Sequence, residues 1–239
     1  MIHLMDNDDP PPRERPSHAV LFERVSGCEH LDSEATILCV AFAALCKHDD
    51  AVLTQAVLQL AARAGPQRVA QLVRELCLQG IAYCGFPRSL HALFLLAPYV
   101  DVGCDLEPNT AQERAAAGPQ RERGIAHFES IYGDKSQALR AKIRALDPDF
   151  EGLVLDVAYG AILAREGIAA RTRELLGVAG LAVLGHGAQL ASHARGALRH
   201  GASLESVAEV LTCVGTFWPE TPELEAFHDL VHALRPKTS

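Results

Sequence analysis

The chain has 239 residues, 49% of them hydrophobic and 5% aromatic, and a formal net charge of −8. That length buries a core without cross-links. An acidic balance with no Lys/Arg cluster and few aromatic stacking platforms excludes a nucleic-acid footprint, which needs a basic face to release counterions. The longest apolar runs, near Ile37 to Cys46 and Leu175 to Leu184, fall short of the roughly 18 to 20 residues that span a bilayer, so no membrane span is expected.

Residues 1–16 (MIHLMDNDDPPPRERP) are acidic and then Pro-rich, which reads as a disordered tail rather than a signal peptide. Seven cysteines (28, 39, 46, 77, 84, 104, 213) form an odd set without a C-x-x-C pair. They read as reduced, small core residues, and the expected location is cytoplasmic.

Apolar residues recur at three- and four-residue steps nearly throughout, and no segment alternates for long, so the fold class is all-α. Residues 17–100 form a first helical half. Residues 101–120 lose the apolar stripe, carry Pro108, Gly118 and Pro119, and read as a connector. Residues 121–235 form the second half.

The halves read as two related helical repeats. QAVLQLAARAGPQRVAQLV (55–73) parallels ASHARGALRHGASLESVAEVL (191–211), and YCGFPRSLHAL (83–93) parallels GTFWPETPELEAF (215–227). A register of 136 sets Leu38 against Glu174 and Val57 against His193, so the first copy is degenerate at both polar positions.

In the second half, Asp147-Pro148 marks a helix entry, with Asp as cap and Pro in the first turn. One long helix is expected from there to about Arg165, ended by Gly167. The next helix begins near Ala169 or Ala170. Gly185 to Gly187 turn the chain into a helix bearing His193, Gly201 stops it, and Ser203 caps the following one. Glu174 is the most informative residue. The ten positions after it hold only Leu, Val, Ala and Gly, so its carboxylate needs a proton or a partner. His193 is the nearest candidate.

The run IYG (131–133), PDF (148–150), YG (159–160), R-x-G-I (165–168), R-x-R-E-L (171–175), LG (184–185), Q-L-x-x-H (189–193) and A-L-R-x-G-A-x-x-E-x-V-x-E-V-L (197–211) resembles the carboxymuconolactone decarboxylase family. That group also holds the alkylhydroperoxidase D-like disulfide reductases. The resemblance implies an all-helical fold, assembly into trimers or hexamers, and a small-molecule site at subunit or repeat contacts. In the hydroperoxidase branch a C-x-x-C pair precedes the His, and a Glu lies nineteen residues before it. Glu174 and His193 keep that spacing, but the cysteine positions here are His186 and Gln189. A dithiol peroxidase needs an attacking thiolate and a resolving thiol, and neither is present in that motif.

The family's decarboxylation implies release of carbon dioxide from a carboxylated lactone and protonation of the dienolate. The lactone carbonyl is the electron sink, so no cofactor and no metal is expected. His193 suits proton delivery, and Glu174 suits orienting its ring. Contact between them requires crossing helices, which Gly177 and Gly180 would permit, or an intervening water. Arg165, Arg171 and Arg173 are candidates to bind a substrate carboxylate; Gln189 and His186 complete the substrate-binding set. His186, His193 and His200 recur every seven residues, roughly 10 Å apart along a helix, too far to share one metal. Glu225, His228 and His232 share a helical face, but no further ligand converges on them.

The leading expectation is a cofactor-free lyase acting on a small carboxylated lactone. The alternatives are a non-catalytic helical binding or assembly protein and a peroxide-reducing thiol enzyme. Two family-like units per chain imply a homo-oligomer, a ring of three chains.

Overall fold

The computed structural model describes residues 16–100, 119–221 and 224–235, and every regular element among them is helical. The first half holds α1 (His18–Val25), α2 (Ser33–Lys47), α3 (Asp50–Ala61) and α4 (Pro66–Leu96). The second holds α5 (Gln120–Tyr132), α6 (Ser136–Leu146), α7 (Pro148–Leu153), α8 (Ala170–Val183), α9 (Gly187–Arg199), α10 (Leu204–Phe217) and α11 (Leu224–His232). The expected tail and most of the expected connector lie outside the described residues, and α5 begins at the connector's last position.

Local chemistry sets the helix ends. Asp32 and Asp49 accept hydrogen bonds from Ala35 N (2.7 Å) and Val52 N (3.0 Å), capping α2 and α3. Between these helices the chain turns through His48, whose φ of 63° is left-handed. Asp147 caps α7 through Asp149 N and Phe150 N, and Ser203 caps α10 through Ser206 N. Gly167, Gly185 and Gly201 all take positive φ, as the sequence reading required of the stops around α8 and α9.

Two helices form the centre. Every residue of α2 from Ala35 to Cys46 is buried, as is every residue of α8 from Arg173 to Ala182. They pack on each other, and Gly180 of α8 makes the approach possible, because a Cβ there would press on Phe42 and Cys46. Around them lie α3 and α4 on one side and α9 and α10 on the other.

The long helix expected to reach Arg165 is not one regular α-helix. After α7 it continues as a π-helix over Val154–Leu163, closing with Ala164 N on Tyr159 O at 2.8 Å. This segment crosses α5 at a backbone-to-backbone contact. A side chain at Gly124 would collide with Leu155 O, and one at Gly160 with Gln120 O. Periodicity does not register the wider turn, since adding one residue per turn leaves an apolar helix apolar.

Candidate functional site

Glu174 and His193 meet directly. Glu174 sits in the first turns of α8 with no solvent exposure, and His193 lies mid-way along α9. Their contact is a 3.0 Å hydrogen bond between His193 Nδ1 and Glu174 Oε2. Two bare backbones allow it. A Cβ at Gly177 of α8 would sit 3.0 Å from His193 Nδ1 and 2.7 Å from the Tyr83 hydroxyl, and one at Gly196 of α9 would strike the Glu174 carboxylate. The crossing anticipated from Gly177 and Gly180 therefore uses Gly177 and Gly196, while Gly180 serves the α2 contact.

The second ring nitrogen, His193 Nε2, faces the Tyr83 hydroxyl of α4 at 3.4 Å. Burial, aided by the Glu174 charge, pushes the Tyr83 phenol well above its usual range, so it stays protonated and can donate. With Nδ1–H donating to the carboxylate, Nε2 is the nitrogen left to exchange a proton.

A second imidazole approaches the same carboxylate. His127 of α5 places Nε2 4.0 Å from Glu174 Oε1, and both atoms are buried without a hydrogen-bond partner. Its ring stacks on His200, centroids 6.0 Å apart at 19°, and lies 6.2 Å from Tyr159 of the π segment. Burial pulls the His127 pKa below its ordinary value, helped by the positive potential of His200, Arg173 and His193 and opposed by Glu174. Tyr132 and Tyr159 join hydroxyls at 3.1 Å beside it, and burial raises the pKa of both. The cluster around Glu174 thus consists of one carboxylate, imidazoles and phenols.

The arginines have another occupation. Glu75 of α4 accepts from Arg173 at 2.6 Å and from Arg165 at 2.8 Å, and Gln79 Nε2 donates to Arg173 O at 2.9 Å. Arg173 is fully buried there. Burial works to raise the Glu75 pKa, but the two guanidiniums outweigh it and hold the group below the carboxylate range. Two of the three guanidiniums expected to bind substrate therefore anchor the start of α8 to α4. Arg173 and Glu174 leave a helix about 100° apart, so the two adjacent side chains face different partners. Arg171 lies 3.9 Å from Asp32 and is partly exposed; His186 and Gln189 are exposed at the start of α9, so the chain does not gather these three around the pair.

Sequence reasoning missed His127, Tyr83, Tyr132 and Tyr159. Tyr132 and Tyr159 stand inside the quoted motifs IYG and YG, and His127 five residues before the first, but nothing in local spacing joins four elements to one carboxylate. Among the described residues no three His, Cys, Asp or Glu side chains are grouped to hold a metal, and Glu225, His228 and His232 gain no further ligand. No helix there is long and apolar enough to cross a membrane.

The described residues are all-helical, with an imidazole–carboxylate pair buried between two glycine-thinned helices. Residues 148–222, which contain both Glu174 and His193, match the model of the carboxymuconolactone decarboxylase family. It is also similar to Peroxisomal protein 2 of Schizosaccharomyces pombe, with 29% identity over 148 residues. That match covers 60% of this chain and 66% of the relative, so the chain spans just under two thirds of that protein's length.

Proposed function

We propose that the chain is a cofactor-free enzyme that decarboxylates a small carboxylated lactone, with His193 as general acid/base and Glu174 as its partner. The observation that carries this is the dry, direct Nδ1 contact to Glu174, which leaves His193 Nε2 as the exchangeable position beside Tyr83. Loss of carbon dioxide leaves the electron pair in the lactone dienolate. Protonated His193 then delivers Nε2–H to carbon, and Glu174 stabilises the charged ring until that transfer. Because Glu75 engages Arg165 and Arg173, the substrate carboxylate would be met by the imidazolium itself, with Arg171, Gln189 and His186 reaching it only from a pocket completed by another chain.

The test is ultraviolet absorbance of carboxymuconolactone incubated with wild type and His193→Ala. Turnover by the wild type and a loss of at least about 100-fold in the variant are expected; an inert wild type at saturating substrate removes the activity.

The occupied arginines favour a second reading, a helical binding or assembly protein that keeps the scaffold without the lyase chemistry. For a thiol peroxidase Cys77, Cys39 and Cys213 are disfavoured, because burial raises the Cys77 thiol to about 12 and pushes the other two higher still, whereas the contact with Cys46 lowers the half-buried Cys84 thiol, so a peroxide test must count that pair. The units α2–α3–α4 and α8–α9–α10 are read as two copies, the first lacking the pair: Leu38 and Val57, at the matching positions, are both buried in the apolar core. Three such chains would close a ring. Cytoplasmic residence is the reading that the free thiols of the described cysteines favour; the relative's name points to the peroxisome, and microscopy of a tagged chain decides between them.

A further inference from the structure

Glu174 Oε1 and His127 Nε2 are two polar atoms beside the His193 pair that the proposed reaction leaves unused. They are buried, unpartnered and 4.0 Å apart. That distance is too long for a hydrogen bond between them, yet a third atom set to one side reaches both at about 2.8 Å. We infer that this gap seats a hydroxyl, so that the group the ligand places there is an alcohol, enol or phenol and its carboxylate lies elsewhere.

The chemistry of the two atoms selects the group. Glu174 Oε1 only accepts, so the ligand must bring a hydrogen. The groups around His127 are Glu174 and Arg173 from α8, His193 and His200 from α9, and Tyr159 from the π segment. Among them burial keeps the ring neutral, and the facing carboxylate favours the tautomer with its hydrogen on Nε2. One hydroxyl oxygen then accepts from Nε2–H and donates to Oε1. An ether lacks the hydrogen. A second carboxylate would bring like charge against Glu174 in a dry site. Tyr159, 6.2 Å from His127 and packed edge-on to Phe128, offers an aromatic surface suited to a planar enol or phenol.

The inference rests on the proposed reaction site for its location, and it asks of the reacting molecule a hydroxyl in addition to its carboxylate and lactone carbonyl. The test uses phenol, anisole and benzoate as probes, titrated into the full-length protein by calorimetry and by NMR of the histidine Cε1–H signals. Phenol is expected to saturate and to shift His127, with anisole and benzoate at least about tenfold weaker. His127→Phe, which keeps a flat ring, should lose about tenfold in phenol affinity with anisole unchanged, and His127→Gln, which restores an N–H donor, should recover part of it. Anisole equal to phenol, benzoate tighter than phenol, or no saturable phenol binding by the folded protein, meaning that the gap holds water alone, each overturns it. Selective phenol binding by a wild type inert towards the lactone would defeat the proposed reaction and leave the hydroxyl seat standing.

Discussion

At the scale of single residues, the pair depends on what is missing from two positions. Glycine inside a helix costs about 1 kcal/mol relative to alanine, so Gly196→Ala would ordinarily stabilise α9. Here its Cβ would strike the Glu174 carboxylate and displace the acceptor of His193 Nδ1. We expect Gly196→Ala to destabilise by about 1 to 3 kcal/mol in urea unfolding and to shift the His193 imidazole signals. Gly152, also helical, meets nothing closer than Arg121 Nη1 at 3.8 Å. Gly152→Ala should therefore be neutral or stabilising by up to about 1 kcal/mol, and equal behaviour of the two variants would refute steric control of the pair.

At the scale of elements, α8 is placed by a clamp at its start. Glu75 and Gln79 of α4 hold Arg173, and the same carboxylate holds Arg165 from just before the Gly167 turn. With its folded pKa below the unfolded value, Glu75 contributes stability that is present in full above the ordinary carboxylate range and is lost as pH falls through the depressed value. Glu75→Gln is expected to cost about 3 kcal/mol at neutral pH, because Arg173 is left buried without its counter-charge. It should also flatten the acid limb of the stability curve from the ordinary carboxylate range downward; a variant with an unchanged acid limb would deny Glu75 that role. The elements themselves were legible in advance. Asp147-Pro148, Gly167, Gly185, Gly201 and Ser203 each act where the sequence places them, since caps and positive-φ glycines are local chemistry. Glu174 was legible because ten apolar neighbours make an acid conspicuous. The Glu75 clamp was not, because its partners lie 90 and 98 positions away. Nor was His127, whose meaning depends on α5 crossing the π segment at Gly124 and Gly160.

At the scale of the whole molecule, the surface carries two apolar patches. On α4 beyond the Gly85 break, Phe86, Leu90, Leu93 and Phe94 recur at three- and four-residue steps and are all exposed, with Phe94 70% open. Across α6 and α7, Leu146, Phe150 and Leu153 are each more than half exposed, Leu146 by 82%. Clusters of this kind mark contact surfaces more often than bare protein surface. Two different patches on one chain suit a head-to-tail contact, which either closes into a ring or propagates. We expect sedimentation at micromolar concentration to give a species of three times the 25.7 kDa chain mass. Phe94→Glu and Phe150→Glu, each placing a charge in one patch, should both shift it towards the single chain while leaving the helical circular dichroism unchanged. A wild type that sediments as one chain refutes the ring. A trimer untouched by either substitution would move the contact to another face.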